Sequence, residues 1–234
     1  LRKVEAIMLG RTMSVLLVVS LLWAFPVSAA DSQIVYDNSS TPTRGLHGEP
    51  PYAGDGFWPF TMNPNRYLGD EIVLSGDARR VVRVDVQLSS TGPTSLENLT
   101  LGLFSIAPGA YYPDALLWLG SLADILVEGP TAVTFTVPEI QVPDRFVWAV
   151  AGPDSETAGL AVFDPPTVGA SPLLAHPTRG YMDYYLHSSG EDLWGFMYFE
   201  GDPVANFGAT IWAVPEPSTL ALAALGGIAL IRRR

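Results

Sequence analysis

The sequence contains no cysteine. That excludes disulfide stapling and any thiolate metal site, and leaves core packing as the source of stability. Histidine is scarce as well, with His47, His176 and His187 the only three. None has the i, i+4 spacing of a helical zinc motif, and they read as solvated or packing side chains. Positive charge is nearly absent from the body. Of the 13 basic residues, Arg2, Lys3, Arg11, Arg232, Arg233 and Arg234 sit in the terminal segments, which leaves 7, all arginine, between Asp31 and Pro215. Of the 24 acidic residues only Glu5 and Glu216 fall outside that stretch, so it holds 22 and carries a formal charge of −15. A surface this acidic repels nucleic acid and anionic lipid, and nucleic acid is not an expected partner. The plain reading of the acidity is solubility. The sharper one is a structural calcium site, with Asp70, Glu71 and Asp77, or Asp183, Glu191 and Asp192, as ligands, although neither set has EF-hand spacing. No other cofactor is expected.

Catalytic signatures are missing too. The sequence has no Gly-x-Ser-x-Gly elbow and no Walker or dinucleotide glycine pattern after a strand. A glycosidase needs two carboxylates held across a cleft, and Asp183, Glu191, Asp192 and Glu200 are candidates only in the sense that acidic residues are common here. The expectation is therefore a non-enzymatic protein, with no catalytic residue assigned.

What is present begins with the two ends. Residues 13–30 read MSVLLVVSLLWAFPVSAA. The apolar run Val15 to Phe25 has the length of a signal-peptide core, Pro26 breaks it, and Ala29 and Ala30 offer small residues to signal peptidase. Cleavage is expected after Ala30, with a start at Met8 or upstream, because a start at Met13 would discard every positive charge before the apolar run. A retained N-terminal anchor is the alternative. At the other end Pro215-Glu216-Pro217 is followed by LALAALGGIALI and then Arg232-Arg233-Arg234. Leu220 to Ile231 would make a helix of about 18 Å at about 1.5 Å per residue, against a hydrocarbon core of about 30 Å. Gly226 and Gly227 weaken it further, the arginines favour the cytoplasmic side, and the prolines keep the preceding backbone extended. A segment so short suits a removable tail better than a permanent anchor, which is the alternative.

The order Pro-Glu-Pro, short apolar helix, basic cluster resembles the PEP-CTERM sorting signal of Gram-negative bacteria. The resemblance implies processing by an exosortase near Pro215, Glu216 and Pro217, transient insertion of the tail in the inner membrane as a short transmembrane helix, and delivery to the cell surface or an exopolysaccharide matrix. The domain reading is a signal peptide over 1–30, a β domain over 31–213 and a sorting tail over 214–234.

The body reads as short strands. With 22 glycines and 20 prolines spread along the chain, long helices are unexpected. Alternation puts Val82, Val84, Val86 and Leu88 on one face and Arg83, Asp85 and Gln87 on the other. Val133, Phe135 and Val137 repeat the pattern, as do Phe146, Trp148 and Val150. Further strands are expected over 99–104, 160–163, 181–186, 193–199 and 207–214, separated by turns such as Gly92-Pro93, Gly129-Pro130 and Gly152-Pro153-Asp154. The segment 114–126 fits a helical turn or two as well as a strand, and 38–64 reads as a long ordered loop. The expected fold is all-β, an antiparallel sandwich or jelly roll, flanked by a signal helix and a short C-terminal hydrophobic helix. Val35-Tyr36-Asp37-Asn38, Leu68-Gly69-Asp70-Glu71-Ile72 and Phe207-Gly208-Ala209-Thr210-Ile211 resemble the choice-of-anchor R domain, an all-β family that has no assigned active site to transfer.

One cluster stands out. Tyr181, Tyr184, Tyr185, Trp194, Phe196, Tyr198 and Phe199 fall close together. Apolar residues on both faces of 193–199 read as a central strand buried on each side. The alternative is an aromatic platform for sugar rings built on Trp194, Tyr198 and Tyr184. The functional expectation is an exported structural or adhesive protein with signal peptidase, exosortase and possible exopolysaccharide as partners. A carbohydrate-binding module is the runner-up and a glycan-active hydrolase a distant third.

Overall fold

The chain divides into two units, Leu1–Asp31 and Ser32–Arg234. The computed structural model describes residues 31–39, 57–60, 66–110, 112–163, 166–170, 174–176, 180–182, 184–188, 193–197 and 206–216. The strands are β1 (Gln33–Asp37), β2 (Phe57–Pro59), β3 (Arg66–Val73), β4 (Arg80–Ser90), β5 (Thr94–Ile106), β6 (Pro113–Val127), β7 (Thr131–Gln141) and β8 (Arg145–Ala151). They continue with β9 (Ala158–Phe163), β10 (Leu174–His176), β11 (Gly180–Met182), β12 (Tyr184–Ser188), β13 (Leu193–Met197), β14 (Asn206–Phe207) and β15 (Ala209–Val214). One sheet runs β1-β15-β4-β9-β14, with β2 on β9 and β7 on β4; the other runs β13-β12-β3-β8-β5-β6. β10 and β11 form a separate ribbon. Neighbouring strands pair antiparallel throughout, for example β3 with β8, β4 with β7 and β5 with β6. The expected all-β, two-sheet, sandwich-like fold is what the described residues form.

A single core lies between the sheets. β7 turns Val133, Phe135 and Val137 inward, β8 turns Phe146, Trp148 and Val150, and β5 turns Leu99, Leu101 and Leu103. In β4 the pattern differs from the simple alternation. Val84, Val86 and Leu88 are in the core, but Val81 joins them instead of Val82. The register of β4 against both β7 and β15 shifts between Val81 and Arg83. A bulge adds one residue and reverses which side chains face inward, so Val82 is only half-buried. Gly129, at the expected Gly-Pro turn between β6 and β7, has φ +59°, which a residue without Cβ adopts freely.

The segment open to two readings is a strand. β6 pairs with β5 from Pro113↔Ile106 to Val127↔Thr94, so ladder formation overrides the helical preference of its leucines. Within 38–64, β2 pairs with β9 and Phe60 is buried. The expectation of a transmembrane helix is corrected. Among the described residues there is no helix, and none long and apolar enough to cross a membrane. The physical reason is that each described apolar stretch alternates faces as a strand, while the segment behind that expectation, 220–231, falls well short of a hydrocarbon core. Both flanking helices of the sequence reading lie outside the described residues.

The two sheets are also tied by polar groups. Asp70 is fully buried on the core side of β3, between Leu68 and Ile72, and its Oδ2 accepts a hydrogen bond of 2.5 Å from the Phe207 amide of β14. Asn38 Nδ2 donates to the Phe207 carbonyl at 3.3 Å. Tyr36 is fully buried beside this group. Burial first, and then the Asp70 charge, push its phenol well above the ordinary value, partly offset by the Asn38 amide. A raised folded-state pKa leaves stability intact below the unfolded value of about 10 and removes it as pH rises past that point. The urea midpoint of Tyr36→Phe is therefore expected to fall less between about pH 9 and about pH 11 than that of the natural chain. Equal losses would show that Tyr36 does not set the alkaline limit.

Candidate functional site

Two places hold candidate functional residues. The first is where the body meets the tail. β15 lies between β1 and β4, with Ala213 opposite Gln33 and Val81, and Val214 opposite Arg80. Pairing stops at Val214 because Pro215 has no amide hydrogen to donate. Glu216 is exposed, and Gln141 Nε2 at the end of β7 donates to its Oε1 at 2.8 Å. Arg80 pairs with Glu139 alongside.

β15 is held firmly just before this point. Asp85 on β4 accepts hydrogen bonds from Arg83 Nε at 2.8 Å and Thr134 Oγ1 at 2.7 Å through Oδ1, and from Trp212 Nε1 at 3.2 Å through Oδ2. The Arg83 guanidinium lies 5.3 Å from the Trp212 ring centroid, a favourable cation–π distance. The hydrogen bond to Asp85 raises the Arg83 pKa. The body is thus folded up to the residue that precedes Pro215, and the start of the motif extends a strand paired on both sides. Pro217, Arg232, Arg233, Arg234, Ala29 and Ala30 lie outside the described residues.

The second place is the face of the six-stranded sheet turned away from the core. Tyr67, Phe104, Ile106 and Trp194 gather there, half-buried, over the fully buried Val147 and Ala149. The Phe104 ring meets Tyr67 edge-on at 5.9 Å and Trp194 edge-on at 5.0 Å between centroids. Trp194 is on β13 and Phe104 on β5, four strand spacings away, or about 19 Å in a flat sheet. The sheet must therefore curl so that its β13 end approaches β5 on this face. The floor is made of small residues: Gly69, Ala149 and Gly102 lie in one register row across β3, β8 and β5. A Cβ on Gly102 would stand 2.5 Å from the Phe104 ring, so the ring needs glycine beneath it. Burial raises the Tyr67 phenol above its ordinary value. At the border of the cluster Arg145 Nε donates to the almost fully buried Glu71.

β13 is the outermost strand of its sheet among the described residues, not the central strand the apolar pattern suggested. Trp194 does join an aromatic group, although its partners Tyr67 and Phe104 are distant in sequence and were not singled out. Gly102 inside a strand was the available signal, since glycine there marks a close approach. Tyr184 lies on β12, with its side chain outside the described set, and Tyr198 is outside it altogether. Of the calcium candidates, Asp70 and Glu71 are successive strand residues on opposite faces, and among the described residues no group of three or more acidic or histidine side chains converges. Asp183, Glu191, Asp192 and Glu200 lie outside the described residues.

Comparison with known families bears on the first place. No curated protein and no solved structure matches the chain. Residues 213–234 match the family model described as PEP-CTERM protein-sorting motif, and the match begins inside β15. The chain therefore carries a PEP-CTERM protein-sorting motif on an all-β sandwich-like body.

Proposed function

We propose that this is an exported protein, processed by an exosortase and delivered to the cell surface or the exopolysaccharide matrix, where its β domain plays a structural or adhesive part without catalysis. The observation that carries this reading is the motif match over 213–234. The short resemblances to choice-of-anchor R domains at 35–38, 68–72 and 207–211 support it, as does the acidic body, which suits a soluble exported domain. Fractionation of the native host tests the destination. The reading expects the protein in the surface or matrix fraction, and a protein found only in the cytoplasm contradicts it.

The aromatic group on the outer face favours a second reading, a carbohydrate-binding module. Half-exposed aromatic rings offer faces to the C–H side of sugars, and the Glu71–Arg145 pair at the border supplies polar partners. Trp194→Ala is then expected to weaken polysaccharide binding on a glycan array by about tenfold or more, as loss of a central aromatic anchor does at interfaces generally. Failure of the natural chain to bind any glycan on the array removes this reading and leaves the sorting proposal untouched.

A further inference from the structure

The three rings on the outer face are not arranged as a flat platform. Phe104 of β5 stands over Gly102, where an added Cβ would come within 2.5 Å of the ring. Tyr67 of β3 and Trp194 of β13 meet Phe104 edge-on, with interplanar angles of 81° and 75°. All three are half-buried, so each keeps some surface for a ligand. A sugar chain laid flat across a sheet needs rings in one plane. Rings set nearly at right angles form a corner instead, which suits a compact group that touches more than one ring. Ring faces are the negative side of the aromatic quadrupole, so a cation gains most from such a corner.

Charge points the same way. The stretch from Asp31 to Pro215 holds 22 acidic residues against 7 arginines and no lysine. The field around such a body draws cations in and turns uronic acids and sulfated sugars away. At the border of the corner the Arg145 guanidinium is matched by the Glu71 carboxylate, to which its Nε donates. We infer, on the carbohydrate-binding reading, that this corner takes the ammonium group of an amino sugar. A neutral sugar gains ring contact but nothing from the field. An acidic sugar is opposed by the field and by the ring faces alike. An amino sugar gains from both, and its apolar C–H side still finds ring surface beside the ammonium group.

Calorimetric titration of the full chain tests this with two ligands of one backbone. One is a chitosan tetramer, with a free amine on every sugar; the other is the matching chitin tetramer, in which each amine is acetylated. The pH is one at which the amines are protonated and the carboxylates ionised. Salt at about 0.15 M screens the general field beyond roughly 8 Å. The chitosan tetramer is expected to bind about tenfold tighter or more. An acidic surface alone also favours a cation, so Trp194→Ala is the deciding variant. The preference should fall below about twofold there, because the strongest of the cation-binding rings is gone. Trp194→Phe keeps a ring in the packing, and its preference should lie between the two. Its result stands even if alanine loosens the strand, which the urea midpoint of each variant reports. Chitin bound as tightly as chitosan, or acidic glycans bound in preference to both, overturns the inference and leaves the carbohydrate reading standing. A preference unchanged in both variants overturns it too, since general acidity would then be the cause. A chain that binds no glycan, or only a lysine-rich peptide, removes both.

Discussion

Trp148→Ala is expected to lower stability by about 3–5 kcal/mol, the range for removing a large aromatic side chain from a packed core. Trp148 is fully buried on β8, which lies between β3 and β5, and it is the largest of the fully buried side chains. Its strand neighbours in register are Asp70 and Leu103, so the cavity would open beside the carboxylate that ties β3 to β14. The backbone cannot move in to fill it. The Trp148 carbonyl already approaches Gly69 so closely that an added Cβ there would sit 1.9 Å away. Domains have total stabilities of about 5–15 kcal/mol, so the variant stands near the limit of folding. Trp148→Phe is the informative companion. The indole Nε1 has no hydrogen-bond partner among the described residues, so phenylalanine discards an unsatisfied donor along with part of the volume. Its cost should be well below that of alanine in urea unfolding. Equal costs for the two would mean that cavity volume is not what Trp148 contributes.

Replacing Pro215, Glu216 and Pro217 together with alanine is expected to abolish processing, with the tail-intact protein staying cell-associated and surface protein falling to background. Two physical features set Pro215 and Glu216 apart from the strand before them. Proline at 215 follows the last residue paired with β4, Val214, and holds it extended. Glu216 projects into solvent with one hydrogen bond, from Gln141, so its carboxylate is accessible to a recognising enzyme. The substitutions lie past the last paired residue, and the unfolding midpoint of the body should not change. Normal processing of the triple variant would show that the enzyme reads something other than Pro-Glu-Pro; an altered midpoint would show that the motif is part of the fold.

Much of the sandwich could be read from period-two patterns, because a strand with one wet face must alternate. Val133, Phe135 and Val137 behave this way; Phe146, Trp148 and Val150 also face the core, but Val147 and Ala149 between them are buried on the other face, so β8 has no wet side. The pattern failed where geometry intervened. The bulge at Val82 exchanged it for Val81, and no alternation rule anticipates an extra residue. Strand order was out of reach: Trp194 looked central because both faces of its segment are apolar, yet β13 is outermost among the described residues and the curl of the sheet half-buries it against Phe104. Tyr67 and Phe104, its partners, could not be found by proximity in sequence, since the cluster is assembled by register across five strands. The ambiguity of 114–126 was likewise settled by a partner strand, β5, and not by local preference. The sorting motif was legible for the opposite reason. It acts as a linear signal, whose meaning lies in the order of its parts.

The measurement that tests the central claim most directly is intact mass with terminal sequencing of the protein recovered from its native host. Processing at both ends predicts a mature chain that begins at Asp31 and ends near Pro215, Glu216 and Pro217, without the apolar segment and the three arginines. A recovered protein that still ends in Arg234 would contradict it.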